Sequence, residues 1–420
     1  MSLDAPGHPA VVFVNTRRTV TEYAPAFQAA RSLGYDVILV TDSVPEDEKR
    51  ELATRVVVVD TTNTSEVLDQ LDTHAGDFTI HGVVPWADRD MLSAANLVRE
   101  LGLPGLGPDE AWNVRNKWAM RRALTQLPQY LPAFRVVHDR DGMDRALESV
   151  GYPGILKPTS GSGSKGIFRV TGPEEAWAAW TALTTMTSSG DASFRDAPGE
   201  LIYEEFVEGP EFSAEGVVSG TDVHVAGFTS KSSTPDYYLE YGHAFPAQLT
   251  EADTESAQQM VREVLAELGL HDCAFHLEFK LTDQGPKLIE VAGRIGGDFI
   301  SSHLVPLSLN RPFYADVIRV ATGQQVAPFG APEAYAEVRK ILSRQEGRFS
   351  HIEGWESMLD GKWVADAVIE RKVGAEITLP PADFMSSVVA AFIVKAPLGD
   401  AQTARDWVEE TERNVRVVCA

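Results

Sequence analysis

Two acidic residues on neighbouring predicted strands are the side chains of this sequence best suited to hold a cation. Glu278 lies before a turn at 283–285 and Glu290 lies after it, each within a largely apolar run. A tight turn of this kind joins antiparallel strands, and two carboxylates on one face of such a pair can share a hard divalent ion. A carboxylate is costly to bury alone, so the alternative is an ordinary ion pair, such as Glu278 with Lys280 or Arg294.

The segment after Glu290 contains groups that suit a reaction in which negative charge develops. Arg294 follows four residues later, and Gly296 and Gly297 come soon after it. A guanidinium and backbone N–H groups that point at one position stabilise an anionic transition state. We therefore predict a catalytic role for Arg294, Gly296 and Gly297.

A glycine- and serine-rich loop follows the predicted strand that contains Lys157. Glycine lets a polyphosphate approach the backbone closely, and the serine hydroxyls and lysines add donors and charge. The loop does not match the G-x-x-x-x-G-K-[ST] pattern, so a flexible turn between two strands is the alternative. The candidate phosphate contacts are Lys157, Ser160, Gly161, Ser162, Gly163, Ser164 and Gly166.

An acidic turn follows another predicted strand, at 201–212. Carboxylates are poor partners for phosphate, but they accept hydrogen bonds from a ribose hydroxyl or an adenine amino group. A hairpin with a solvated acidic edge is the alternative. The candidate nucleotide contacts in this turn are Glu204, Glu205, Phe206, Val207 and Glu211.

Three further side chains are candidates for substrate contact, because their segments are expected to face the same cleft. They are Glu215, His243 and His276. A neutral imidazole can orient an amine or a carboxylate, and His276 lies two residues before Glu278. For each histidine, a partner within the core is the alternative explanation.

The elements that must position these residues begin with an alternating N-terminal region. Apolar runs at 10–14, 36–40, 55–59 and 80–84 alternate with helical segments, which predicts a doubly wound parallel sheet. The turn after the first run lacks a G-x-G-x-x-G, which argues against a dinucleotide site there. The breaker-rich segment 102–108 predicts a connection between domains.

The remaining elements are predicted less regularly along the chain. A helix is expected at 109–127, with Lys117 on it, and a β-rich region at 152–228 is interrupted by a helix near 174–183. The last hundred residues contain short strands and a final helix from about 403. Further elements are an amphipathic helix at 254–268 and two strands at 274–281 and 286–291.

Composition limits the classes of function. The formal net charge of −24 repels nucleic acid and anionic membranes, so neither is expected as a partner. A hydrophobic content of 44% is typical of globular proteins. Two cysteines without metal spacing fit a reducing compartment, and no segment has the pattern of a signal peptide or the roughly 20 apolar residues of a membrane span. The expected location is the cytoplasm.

Taken in order, these features resemble the ATP-grasp superfamily over most of the chain. The order is an N-terminal α/β domain, a lysine-bearing helix, a strand with Lys157 and its loop, the acidic turn, and two candidate metal carboxylates. Within the family, the loop at 241–247 and the run at 290–298 look like the L-amino-acid ligases, a branch that includes the alanine–anticapsin ligases. The implied fold is α/β and α+β: a Rossmann-like pre-ATP-grasp domain at 1–112, an ATP-grasp domain at 113–310 and a C-terminal α+β extension at 311–420 that completes the large lobe. The resemblance also implies a small ATP lobe at about 150–230.

The resemblance implies a role for each candidate residue. Lys117 and Lys157 would contact the phosphates of ATP, the loop from Ser160 to Gly166 would cover them, and the turn from Glu204 to Val207 would receive the adenine. Glu211 would accept the ribose hydroxyls. Glu278 and Glu290 would bind Mg²⁺, with Mn²⁺ as a possible substitute, and Arg294 would stabilise the transferring phosphoryl group.

The implied reaction forms an amide or peptide bond through an acyl-phosphate, with release of ADP and phosphate. The expected partners are small carboxylate and amine substrates, with a homodimer as a further possibility. Many family members have Asn two residues after the second metal-binding Glu, but Ala292 stands there, which leaves the number of metal ions open. The alternatives are a ligase or carboxylase of purine or cofactor metabolism, and a non-catalytic ATP-binding module.

Overall fold

The N-terminal part of the chain forms a four-stranded parallel sheet, as predicted. The computed structural model describes residues 7–73, 77–383 and 385–420, apart from the side chain of Ala192. The strands are β1 (His8–Val14), β2 (Asp36–Thr41), β3 (Arg55–Val58) and β4 (Phe78–Pro85), in the spatial order β3-β2-β1-β4. The helices of this part are α1 (Val20–Ser32), α2 (Asp47–Leu52), α3 (Thr64–Asp72) and α4 (Met91–Leu101).

Both faces of this sheet are covered by helices. Val11 and Phe13 pack against α1, whereas Ala10, Val12 and Val14 pack against α3 and α4. Successive residues of a strand point to opposite faces, so an unbroken apolar run is needed where both faces are buried. This explains why the run at 10–14 shows no polar alternation and confirms the doubly wound arrangement.

The predicted helix at 109–127 is two helices, which corrects the sequence-based expectation. They are α5 (Pro108–Arg115) and α6 (Lys117–Ala123), and they are separated by Asn116 in an extended conformation. The Asn116 side chain accepts a hydrogen bond from the Ala119 N–H, which is the N-cap contact that asparagine favours. The break makes Lys117 the first residue of α6, and its N–H donates to the Thr159 carbonyl.

A small antiparallel sheet follows. Its strands are β5 (Phe134–Val137), β6 (Gly154–Pro158), β7 (Phe168–Val170) and β8 (Leu201–Glu205), in the order β5-β8-β6-β7. Helices α7 (Arg140–Val150) and α8 (Pro173–Thr187) pack on it around a separate core that includes Met143, Leu156 and Leu183.

The next segment supplies the first five strands of a larger sheet. These are β9 (Glu211–Ser219), β10 (Asp222–Ser233), β11 (Glu240–Phe245), β12 (Cys273–Thr282) and β13 (Gly285–Ala292), with helix α9 (Glu251–Glu267). Helices α10 (Val305–Leu309) and α11 (Phe313–Ala321) follow. Because Met260, Val264 and Leu265 of α9 are buried against the strands, the amphipathic helix predicted there has its expected role.

The C-terminal part completes the same sheet. Its strands are β14 (Ala334–Leu342), β15 (Gly347–Glu353), β16 (Val364–Ile369), β17 (Glu376–Ile377), β18 (Val388–Pro397) and β19 (Arg416–Cys419), and its helices are α12 (Trp355–Leu359) and α13 (Ala401–Asn414). The large sheet has the order β13-β12-β9-β10-β11-β14-β18-β16. A separate three-stranded sheet has the order β17-β15-β19.

The order of the strands can be compared with the predicted domain limits, and the limits themselves stay a prediction. The small sheet contains residues from 134 to 205, whereas the predicted small lobe was 150–230; the segment 211–230 lies in the large sheet instead. The predicted limit at 310 separates strands that are neighbours in one sheet, since β11 pairs with β14. No helix within the described ranges combines the length and apolar character that a bilayer crossing needs.

Candidate active site

Glu278 and Glu290 are directly opposite each other on adjacent strands. The register of β12 and β13 pairs these two residues, and opposite residues of an antiparallel pair point to the same face of the sheet. Both line a cleft whose other wall is the small sheet, with Ile155 and Lys157. The structure therefore brings the two predicted metal ligands to one side of the sheet and to the same cleft as the phosphate-loop lysine.

Each of these carboxylates has a cationic partner that differs from the ion pairs considered from the sequence. The Lys117 Nζ lies 2.8 Å from Glu290 Oε2. Glu278 Oε1 accepts from Lys231 at 2.5 Å and lies 2.9 Å from His276 Nε2. Burial acts to raise the pKa of Glu278, but these two cations outweigh it and hold that pKa well below its usual range. Glu278 is therefore ionised.

Lys157 is held at the cleft by a buried network. Its Nζ lies 2.6 Å from Glu204 Oε2, while Arg121 Nε donates to Glu204 Oε1 at 2.7 Å. Burial acts to raise the pKa of Glu204, yet the two cations lower it to about 2. Arg121 also donates to the carbonyls of Leu288 and Ile289. The network thus ties the small sheet to β13.

This network changes the expectation for Glu204, whose side chain was a candidate adenine contact. Both of its oxygens are engaged by cations, so its carboxylate acts on Lys157 and Arg121. The N–H groups of Glu205 and Phe206 also have partners within the fold, namely the carbonyls of Ala133 and Pro153. Glu205, Phe206, Val207 and Glu211 all line the cleft.

The glycine- and serine-rich loop lies over the same cleft. Gly161, Ser162, Gly163 and Ser164 line it, and so does Lys165 of the same loop. Gly163 and Ser164 are consecutive residues with positive φ, a conformation that turns successive N–H groups toward a concavity.

The two ends of the loop have a structural role. Ser160 is buried, and Gly166 packs so closely that a Cβ there would lie 2.7 Å from Leu183. Neither Ser160 nor Gly166 is among the described residues that line the cleft. These two positions therefore shape the loop, and the candidates within the loop that line the cleft are 161–164.

Arg294 lines the cleft and is fixed by a residue of the N-terminal sheet. Its Nε donates to Asp88 Oδ1 at 2.8 Å and its Nη2 to Asp88 Oδ2 at 2.5 Å. Burial acts to lower the pKa of Arg294, but Asp88 outweighs it, and the net effect raises that pKa. The guanidinium is thus a permanent, oriented cation beside Glu290.

Gly296 and Gly297 make room for charged side chains beneath the chain. A Cβ on Gly296 would lie 2.7 Å from Glu215 Oε2 and 2.9 Å from His276 Nδ1, and one on Gly297 would overlap the guanidinium of Arg17. Neither glycine is among the described residues that line the cleft. Their first role is therefore steric, because each lets the backbone pass close to these charged side chains. A catalytic role for their N–H groups stays a prediction.

The three candidate substrate residues lie behind the cleft wall. Among the described residues, none of Glu215, His243 and His276 lines the cleft itself. Glu215 is fully buried and accepts from Ser213 and His276. His243 Nε2 lies 3.4 Å from a Glu240 oxygen and 3.7 Å from one of Asp298.

His276 differs from the neutral imidazole that was expected. It bridges Glu215 and Glu278, with Nδ1 2.9 Å from Glu215 Oε2. Burial acts to lower the pKa of His276, but the Glu215 and Glu278 carboxylates outweigh it and raise that pKa to about 9. At neutral pH the ring is therefore an imidazolium, which positions Glu278 electrostatically.

The cleft suits a nucleoside triphosphate with a bound metal ion. Its wall offers two carboxylates that face one side, lysines that include Lys117 and Lys157, an arginine, and a glycine-rich loop. Lys117 and Glu290 neutralise each other at 2.8 Å. A phosphate group could replace Glu290 as the partner of Lys117, and a divalent ion could replace Lys117 as the partner of Glu290. Phosphate binds the ammonium, and Mg²⁺ prefers carboxylate oxygen. The donor set therefore fits Mg²⁺ and ATP.

Family comparisons agree with this geometry. Residues 150–302 match the ATP-grasp domain, and residues 27–105 match the ATP-grasp N-terminal domain. The chain belongs to the ATP-grasp superfamily. The ATP-grasp fold of an L-amino acid ligase from Bacillus licheniformis superimposes with a TM-score of 0.87 over 99% of this chain and 100% of that one, at 22% identity.

Two named relatives of this ATP-grasp chain are ligases. Alanine–anticapsin ligase of Bacillus subtilis (strain 168) is 28% identical over 249 residues, which are 55% of this chain and 52% of that protein. Carnosine synthase 1 of Homo sapiens is 27% identical over 310 residues, which are 67% of this chain and 36% of that protein. The matched stretch thus spans about half of the first relative and about a third of the second.

Sequence reasoning missed several charged residues that line the ATP-grasp cleft or lie beside it. Asp88 follows β4 and Arg17 follows β1, and the carboxyl ends of adjacent parallel strands meet at one edge of a sheet, where ligands commonly bind. That rule would have selected both. Lys231 and Glu240 carry a weaker signal, a charged residue within or at the start of a strand, and their pairing depends on the register of β10 and β11.

Proposed function

We propose that this ATP-grasp protein is a magnesium-dependent ligase that joins the carboxylate of one small amino-acid-like substrate to the amine of another. ATP phosphorylates the carboxylate to an acyl-phosphate and ADP leaves; the amine attacks the acyl carbon, and phosphate leaves with the bond formed. One observation carries the proposal: Glu278 and Glu290 face each other in a cleft that Lys117, Lys157 and Arg294 also line.

The charges of the cleft suit the first step. A carboxylate and the γ-phosphate repel each other, so their approach requires positive charge and alignment. Lys117 and Lys157 would bind the triphosphate. Mg²⁺ held by Glu278 and Glu290 would supply further positive charge when bound. Arg294, oriented by Asp88, would stabilise the phosphoryl group and the tetrahedral intermediate.

Water must be kept from the acyl-phosphate, which hydrolyses readily. The loop at 160–166 is the proposed closing element, since it lies over the cleft and carries three glycines with little side-chain constraint. Lys165 binds Asp191 at 3.2 Å at the outer edge of the loop. This contact would have to follow any movement of the loop.

The substrate class is inferred from the relatives and from nearby charges. The relatives' names indicate amino-acid substrates for those proteins. In this chain, the carboxylates of Glu240 and Asp298, with the buried His243 behind them, form an acidic group suited to an amine, and this group is the proposed substrate contact. Glu215 and His276 would act from beneath Gly296 by fixing Glu278. A cytoplasmic location and a homodimer belong to the same proposal.

The decisive experiment supplies the purified chain with ATP, MgCl₂ and a mixture of the common amino acids. The proposal expects ADP and phosphate release that depends on the amino acids, together with a product whose mass equals two substrates minus water. Mass spectrometry of the products would identify both substrates. Controls without MgCl₂ and without each amino acid in turn would define the requirements.

Other outcomes assign the chain to other ATP-grasp activities. Phosphate release that depends on bicarbonate rather than on an amine would indicate a carboxylase. Nucleotide binding without turnover under all these conditions would indicate an ATP-binding module. Either result would reject the ligase proposal.

A further inference from the structure

A buried lysine lies beneath the acidic part of the cleft. The side chain of Lys231 is 1% exposed, and its Nζ lies 2.7 Å from Glu240 Oε1, 2.5 Å from Glu278 Oε1 and 3.5 Å from Glu211 Oε1. The three glutamates line the cleft, whereas Lys231 is not among the described residues that do. The ammonium is therefore enclosed between the sheet and the carboxylates.

The three carboxylates have the spacing of a metal site. One oxygen from each of Glu211, Glu240 and Glu278 lies within 4.8 Å of the others, a spacing that a hard divalent cation could bridge. Three carboxylates at this spacing are stabilised by an adjacent cation. Lys231 provides it from a strand that is hydrogen-bonded on both sides, by β9 and β11.

One oxygen of Glu278, Oε1, is engaged by two cationic side chains, and within the described residues no hydrogen bond or ion pair is recorded for its Oε2. The two cationic side chains are Lys231 and His276. Ala292, which replaces the asparagine of many family members, pairs with His276 across the strands and offers no oxygen from its side chain. The side chains thus offer fewer metal-binding oxygens than two ions require. The positive charge that a second ion would bring is supplied by Lys231 and His276.

The same arrangement occurs in the second cluster with ligand spacing among the described residues. Glu240, His243 and Asp298 have oxygens and a ring nitrogen within 4.8 Å of one another. Lys340, which is buried, lies 2.5 Å from Asp298 Oδ2. In both clusters a lysine already neutralises the carboxylates.

We propose that Lys231 is a positioning residue that takes the place of a second divalent ion among Glu211, Glu240 and Glu278, so that the chain binds one ion, at Glu278 and Glu290. The inference rests on the proposed function, because it concerns the metal of that reaction. Its consequence is that removal of the ammonium, with the carboxylates kept, creates a new cation site.

Metal stoichiometry tests this inference without turnover. Free Mn²⁺ is measured by electron paramagnetic resonance while MnCl₂ is titrated into the wild-type chain with saturating ADP. We expect one tightly bound ion per chain. Lys231→Met is expected to bind one more, and Lys231→Arg to keep the wild-type number, because the guanidinium retains the charge.

Two further variants locate the additional ion. Lys231→Met combined with Glu240→Gln is expected to lose it, since one ligand is removed. Lys287→Met is the matched control, because Lys287 lies on β13 of the same sheet and its Nζ donates to the Gln129 carbonyl, away from the cluster. The control is expected to bind one ion.

Folding of the Lys231→Met variant provides a second measurement. Three carboxylates without their cation repel one another, so its melting temperature should rise with MnCl₂ more than that of the wild type. Two ions per wild-type chain in the ADP complex, or no additional ion in a folded Lys231→Met chain, would overturn the inference. The wild-type count decides the matter even if the variant does not fold.

The result is separable from the ligase proposal. One ion in the wild type and two in Lys231→Met, without amine-dependent turnover, would support the role of Lys231 and reject the ligase. Amine-dependent turnover with two ions bound to the wild type would support the ligase and reject the role of Lys231.

Discussion

Asp88, at the edge of the N-terminal sheet, binds Arg294, which follows β13 of the large sheet, through both of its carboxylate oxygens. The two Nε–Oδ1 and Nη2–Oδ2 distances are 2.8 Å and 2.5 Å, and both side chains are largely buried. A two-point contact fixes the plane of a guanidinium as well as its position. The N-terminal domain therefore takes part in the proposed active site by orienting its arginine.

Substitution of this pair should affect chemistry more than nucleotide binding. Arg294→Ala is expected to lower kcat by about 100-fold or more, the range seen when a group that stabilises a transition state is removed. Asp88→Asn should lower kcat by roughly tenfold, because one charge-assisted hydrogen bond is weakened. Steady-state kinetics and ADP titration measure the two effects. Asp144→Asn, at an exposed position of α7, is the control, and an equal loss of ADP affinity and turnover would contradict the role.

Neutralising the two facing carboxylates should weaken metal-dependent nucleotide binding. Glu278→Gln and Glu290→Gln each remove a charged ligand, so the Kd for Mn·ADP should rise by about tenfold or more, while ADP binding without metal changes little or tightens. The tightening is expected for Glu290→Gln, which leaves Lys117 free for phosphate. Calorimetry with and without MnCl₂ measures this. Glu208→Gln, an exposed residue of the acidic turn, should behave as wild type; if it does not, general loss of negative charge explains the effect.

The two glycines after Arg294 should not tolerate a methyl group. Gly296→Ala places a Cβ 2.7 Å from Glu215 Oε2 and 2.9 Å from His276 Nδ1, and Gly297→Ala overlaps Arg17. Each should lower the free energy of unfolding by roughly 1–3 kcal/mol through overpacking and reduce turnover by displacing Arg294. Thermal unfolding and kinetics test both effects. Gly330→Ala is the control, because no described atom lies within 4 Å of its Cβ position; equal stability of all three variants would refute the packing argument.

The buried ion pairs of Glu204 should make the free energy of unfolding fall at acidic pH. The pKa of Glu204 is about 2 in the folded chain and 4.5 in the unfolded chain, so its ion pairs contribute fully above pH 4.5 and are lost as the pH falls toward 2. The contribution is roughly 3 kcal/mol. Urea unfolding between pH 3 and pH 7 should show a shallower acid dependence for Glu204→Gln than for wild type. Glu205→Gln, the exposed neighbour, should retain the wild-type slope, and identical slopes for Glu204→Gln and wild type would contradict the assignment.

The sequence by itself determined the elements and the residue types of the site. Short apolar runs that alternate with helical segments require a parallel sheet, because only strands buried on both faces lack polar residues. The turn at 283–285 is short enough to make β12 and β13 neighbours, whereas the pairing of Glu278 with Glu290 depends on a register shift between Glu278 and Phe279 that the structure shows. The glycine-rich loop after Lys157 could be recognised in the same way, since local composition limits its conformation.

Only the tertiary structure decided which charges meet. Asp88 and Arg294 are 206 residues apart in the chain, and Arg121 and Glu204 are 83 apart; no local pattern encodes such pairs, because they depend on how separate sheets pack. The register of β10 and β11 likewise determines that Lys231 lies under Glu240. The sequence thus specified the chemical groups through short-range rules, and packing over long range specified their partners, their burial and hence their charge states.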